Sequence, residues 1–181
     1  MSALASRDVF WWPLLFLTLI YVKIVERKPL SSIGLNRPTW KTIIFGVGTA
    51  VLALLVIFPL TGLAMAHLHL NSQAGSAIAQ QIAGTPYWYR LLLVLRAAVV
   101  EEIVFRGYAI ERIEELTGSR TLAALISLAV FTVAHLAYWG WMPLIGVSVA
   151  GLVLTVLYLW RRDLAANMIA HFVIDAAPLL V

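Results

Sequence analysis

The chain has 181 residues, 62% of them hydrophobic and only 12% charged, with a mean hydropathy of +0.91 and a net charge of +4. That balance leaves too little polar surface for a water-soluble domain of this length and suits a single membrane domain over residues 1–181. Having no cysteine, the chain can form no disulfide, thiolate nucleophile or cysteine-ligated metal site, and its basic residues sit in short loops rather than on a nucleic-acid-binding face.

A helix that crosses the hydrocarbon needs about 20 apolar residues. The sequence predicts about six such helices, an all-α polytopic membrane bundle. The first, residues 9–25, is short and has the size of a signal-peptide core. Lys23, Glu26, Arg27 and Lys28 follow it where a small-x-small cleavage site would stand, so it is expected to remain as a helix, anchored by Trp11 and Trp12 at one interface. A basic loop comes next, with Lys23, Arg27, Lys28, Arg37 and Lys41 among the breakers Pro29, Gly34 and Pro38. The second helix runs over about 40–67. The connection over 67–89 carries no Lys, Arg, Asp or Glu, and its His67 and His69 are expected to be interfacial. The third helix begins near 87 and continues through Arg106 towards 116, where Gly118 marks a turn. The fourth covers 121–138, the fifth 141–160 and the sixth 164–181, with Trp139 and Trp141 as aromatic belt between the fourth and fifth. Residues 87–181 form the motif-bearing core.

If six helices alternate, Arg112, Arg120, Arg161 and Arg162 fall on the same side as the first basic loop. The positive-inside rule makes that side cytoplasmic and puts both termini outside.

Charges within membrane helices cost roughly 2.5–3.5 kcal/mol each on insertion scales and mark function by default. They fall in three clusters: Glu101, Glu102 and Arg106 in the third helix, His135 in the fourth, and Asn167, His171 and Asp175 in the sixth. Glu101 and His135 each lie 17 residues from Gly118, so an antiparallel hairpin brings them to one level. With the membrane boundary near Ile110, Glu101 is roughly 14 Å deep, and His171, counted from Asp163, roughly 12 Å. Asn167, His171 and Asp175 share a helix face, and so do Glu102 and Arg106, which can neutralise one another. Glu101 points away from Glu102 and is expected to have no partner on its own helix, the condition of a free general base.

These residues resemble the CPBP family, which groups CAAX prenyl proteases with bacteriocin-processing and abortive-infection proteins. Its motifs EExxxR, FxxxH and HxxxN/D stand here as Glu101–Arg106, Phe131–His135 and His171–Asp175, in that order. The resemblance covers roughly the C-terminal half and implies an intramembrane endopeptidase of glutamate type, acting on a membrane-associated or lipid-anchored protein in the bilayer. By position, Glu101 and His135 would activate the attacking water, His171 and Asp175 would stabilise the oxyanion, and Glu102 and Arg106 would brace the site. Asp175 stands where many members carry asparagine. It would have to be protonated or instead orient His171, and Asn167 could supply an amide donor in its place.

The resemblance implies a site that needs no cofactor. A zinc-dependent variant with His135, His171 and a glutamate as ligands is the alternative, although the helical signature HExxH is absent. Two further classes use the same residue types: a non-catalytic immunity or chaperone-like membrane factor, and a proton-coupled carrier, for which the sequence shows no repeat.

Overall fold

The computed structural model of the chain describes residues 2–70 and 82–179. Among these residues there are six long helices and no strand. Helix α1 runs over Ser2–Ile20 and ends in a π-wound turn, Tyr21–Val25. Helix α2 is Trp40–His67, π-wound over Ala53–Ile57. Helix α3 is continuous over 87–117, with a nine-residue π-wound stretch at Glu102–Ile110. Helices α4, α5 and α6 are Arg120–Trp139, Leu144–Arg161 and Leu164–Ala176.

Local chemistry sets these limits. Gly118 takes a left-handed φ of 67° after α3, and the Ser119 hydroxyl then accepts from the Leu122 N–H to start α4. Pro143 precedes α5, so that helix begins three residues later than the hydropathy alone suggests. The Asp163 carboxylate caps α6 through the Ala166 N–H and also accepts from the Thr42 hydroxyl at 2.7 Å, tying the starts of α2 and α6 together. Helix α6 ends at Ala176 rather than continuing to 181. Residues 177–179 form a 3-10 turn around Pro178, which has no N–H to extend the helix, and 180–181 lie outside the described residues. Most of the uncharged connection between α2 and α3, residues 71–81, also lies outside them, as does the side chain of Trp139.

Helix α3 occupies the centre, packed against α1, α4 and α6, while α6 packs chiefly on α2 and also on α5, and α4 lies along α5. Two glycines allow the close approaches. A Cβ on Gly46 would stand 2.8 Å from the Ala166 carbonyl oxygen of α6, and one on Gly151 would stand 2.9–3.0 Å from Leu128 and Phe131 of α4. Val22, Ile33, Val100, Ile103, Ile110, Tyr158 and Leu164 fill the core around α3. Trp11, half-buried, packs against this core. Its ring is held there by a cation partner on α3, described below.

The outer surface is apolar. Ile43, Val47, Leu55 and Leu63 of α2, Leu125, Val130 and Val133 of α4, and Leu152 and Val156 of α5 are all exposed. Faces of this kind on several helices are the surface of a helical membrane bundle. Among the described residues, Trp40–His67 and Leu144–Arg161 are long and apolar enough to cross a membrane, while Phe10–Val25, Arg120–Leu136 and Leu164–Ala176 are apolar but shorter.

The basic loops meet at one end of the bundle. Arg112 binds both carboxylate oxygens of Glu26 and bonds to Glu115, which also receives Lys28 at 2.6 Å. Glu111, buried despite its charge, pairs with Arg162 and accepts from the Tyr158 hydroxyl at 2.8 Å. Arg120 donates to the Leu159 carbonyl, and the Arg161 guanidinium lies 4.2 Å over the Phe45 ring. These arginines and lysines therefore staple helices together, in addition to any part they take in orientation.

Candidate active site

Glu102 is the hub of the polar interior. It is fully buried, and an isolated carboxylate there would be strongly unfavourable. Its Oε1 accepts from Arg106 Nη1 at 2.9 Å and lies 2.8 Å from His171 Nδ1, while Oε2 accepts from Asn167 Nδ2 at 3.0 Å. Arg106 in turn donates to the Gly151 carbonyl of α5 at 3.1 Å and stacks 4.2 Å over the Phe131 ring of α4. One ion pair thus links α3, α4, α5 and α6. Asn167 also donates to the Leu154 carbonyl at 2.7 Å, so its amide is committed to holding the bundle and is not the spare oxyanion donor anticipated from the sequence.

Glu101, the next residue, faces a different set of groups. Its side chain is about 10% exposed, and His135 Nε2 of α4 lies 3.7 Å from Oε2. The other ring nitrogen, Nδ1, is 2.7 Å from the Phe131 carbonyl oxygen. That oxygen can only accept, so Nδ1 carries a proton, and Nε2 is the ring nitrogen that faces Glu101. Glu101 also has a partner on its own helix, contrary to the expectation from spacing: Arg96 Nη1 lies 3.6 Å from Oε1. The interval is five residues, outside the usual three- and four-residue helix contacts, and the long guanidinium side chain covers it.

On α6, His171 Nε2 lies 3.3 Å from Asp175 Oδ2. With Nδ1 against Glu102, the ring sits between two carboxylates, which accept only, so both its nitrogens act as donors. Asp175 is the accessible partner, its side chain 40% exposed while that of Glu102 is sealed. The arrangement can hold a polarised water between a carboxylate and an imidazole, next to an imidazole N–H fixed from behind. Among the described residues, no group of three or more His, Cys, Asp or Glu side chains is arranged to hold a metal ion.

The sequence matches the family described as type II CAAX prenyl endopeptidase Rce1-like over residues 83–177, more than half of the chain. The chain belongs to that family. No curated protein and no solved structure matches it. The match contains all three motifs and agrees with the CPBP resemblance. As a member of the Rce1-like family the chain is a protease, a CAAX-type intramembrane endopeptidase that acts on membrane-associated protein in a lipid bilayer. Helices α1 and α2 lie outside the matched residues.

Sequence spacing did not single out Arg96, although it carried the same signal as the other clusters, a charge amid apolar residues in LLLVLRAAVV. Trp11 escaped for a different reason. Its position near the start of an apolar run favours an interfacial role, whereas its ring lies 5.5 Å from the Arg96 guanidinium. Nor does any motif mark Gly151, although its missing Cβ lets Phe131 pack close and its carbonyl receives Arg106.

Proposed function

We propose that this endopeptidase hydrolyses its substrate with a water held between Glu101 and His135, without a metal. The observation that carries the reading is the 3.7 Å separation of Glu101 Oε2 and His135 Nε2. At that distance the two atoms do not hydrogen-bond to each other directly. A water donating one proton to each satisfies both and turns its own lone pairs outward, towards a carbonyl carbon.

In the first step the water oxygen bonds to the scissile carbonyl carbon and one of its protons passes to Glu101. The carbonyl π pair moves onto oxygen, and His171 Nε2–H, turning from Asp175, donates to that oxyanion. In the second step the oxyanion pair re-forms the carbonyl as the C–N bond breaks, and the proton on Glu101 passes to the departing amine nitrogen. The new carboxylic acid gives up its remaining proton to water as the products leave. Glu102, Arg106 and Asn167 keep His171 in register. The Arg96 and Arg106 guanidinia beside the carboxylates favour the metal-free route over the zinc alternative.

The substrate we propose is a lipid-anchored, CAAX-type tail, as the family description implies. We further propose a multi-pass topology, with the basic end of the bundle in the cytoplasm and the site opening towards that side, on the positive-inside argument. Purified protein in liposomes, given a prenylated CAAX-type peptide, provides the test. Glu101→Gln is expected to lower kcat by about 100-fold or more, and a chelator is expected to leave the wild type unchanged. Cleavage lost on chelation and restored by zinc would overturn the metal-free mechanism.

A further inference from the structure

The two oxygens of Glu101 face different groups. Oε2 is turned to His135 and Oε1 to Arg96, whose side chain is itself only 15% exposed. On its other side Arg96 is backed by the Trp11 ring of α1, 5.5 Å from the guanidinium carbon. A carboxylate is symmetric and turns easily about its last bond, so a base that must offer one oxygen to a water needs something to hold the other. A guanidinium does this better than any other side chain, being planar, permanently charged and able to donate in several directions.

Resting on the reading of Glu101 as the base, we propose that Arg96, supported by Trp11, is the residue that positions Glu101, fixing which oxygen faces His135 and placing a permanent positive charge beside the carboxylate. The charged and titratable groups acting on this carboxylate are Arg96 from α3 itself, His135 from α4, and His171 and Asp175 from α6. Arg96 is the permanent cation among them. Helix α1, outside the family match, thereby contributes to the site through Trp11.

The alternative role for Arg96 is purely structural, packing α3 against Trp11 of α1, which would affect folding but not the pH dependence of the reaction. Steady-state cleavage in liposomes over a range of pH separates the two, using Arg96→Gln, Arg96→Lys and Trp11→Leu with Glu101→Gln as control. Arg96→Gln is expected to lower kcat by about tenfold with KM nearly unchanged. The deficit should narrow as the pH rises, because alkaline solution supplies the deprotonated carboxylate that the cation otherwise favours. Arg96→Lys should recover most of the rate, and Trp11→Leu, which keeps the charge, should show a smaller loss with the same pH trend. Wild-type kcat in Arg96→Gln, or a loss equal at every pH, would overturn the proposal. If Arg96→Gln does not fold, Trp11→Leu decides, and an unchanged rate and pH profile there would count against it. An active Glu101→Gln would instead sink the base assignment, whereas a dead Glu101→Gln beside an unaffected Arg96→Gln would sink only the role of Arg96.

Discussion

Asp175 shows how one side chain can be judged from its neighbours. A carboxylate beside a forming oxyanion repels it, yet Asp175 lies 3.3 Å from His171 Nε2 and is the exposed member of the pair that brackets the ring. It is better suited to orient His171 than to touch the oxyanion. An asparagine could accept from the same N–H through its amide oxygen and would bring no charge. Asp175→Asn should therefore stay within about tenfold of wild-type kcat/KM, while His171→Ala, which removes the donor, should lose about 100- to 1,000-fold. A reversal of that order in the liposome assay would return Asp175 to direct catalysis. Seven polar residues of the site were legible in the sequence, because a charge or an amide amid apolar residues is costly and conspicuous. Their division of labour was not. Glu102 as hub, Asn167 as its donor and Arg96 behind Glu101 follow from side-chain directions that spacing along an ideal helix does not specify.

At the scale of elements, all six helices were legible, apart from the residues of α1 ahead of the apolar run, the later start of α5 after Pro143 and the early stop of α6 before Pro178. The π-wound stretch Glu102–Ile110 was not. A π-turn lengthens the hydrogen-bond interval by one residue over an α-turn, and nothing in EIVFRGYAI marks that change. It begins at the motif itself, where it turns Glu102 and Arg106 into the bundle. The elements are joined at their basic end by charge. Arg112 of α3 grips Glu26, just past α1, and its hydrogen bonds hold the Glu26 carboxyl below the usual carboxylate range. Glu26 therefore stabilises the fold fully above its unfolded-state pKa, about 4.3, and loses that contribution as the pH falls through the lower folded value. Thermal unfolding in detergent should show the wild type losing part of its margin over Glu26→Gln as the pH drops through this range. Parallel curves for the two proteins would contradict the staple.

Over the whole molecule, the site is assembled by helices that need not be adjacent in sequence. Helix α3 brings both glutamates, α4 the first imidazole and α6 the second, with α5 offering the backbone carbonyls of Gly151 and Leu154. Helix α2 packs against α6 across Gly46, and α1 against α3, so the two N-terminal helices lie against the motif-bearing half. If Glu101 and His135 share one water, they act as a single unit and their losses do not multiply. The most direct measurement is kcat in liposomes for Glu101→Gln, His135→Ala and the double variant. The double variant is predicted to be no slower than the worse of the two singles. A double variant slowed by the product of the two single losses would show that the two side chains act independently, and would contradict a shared water.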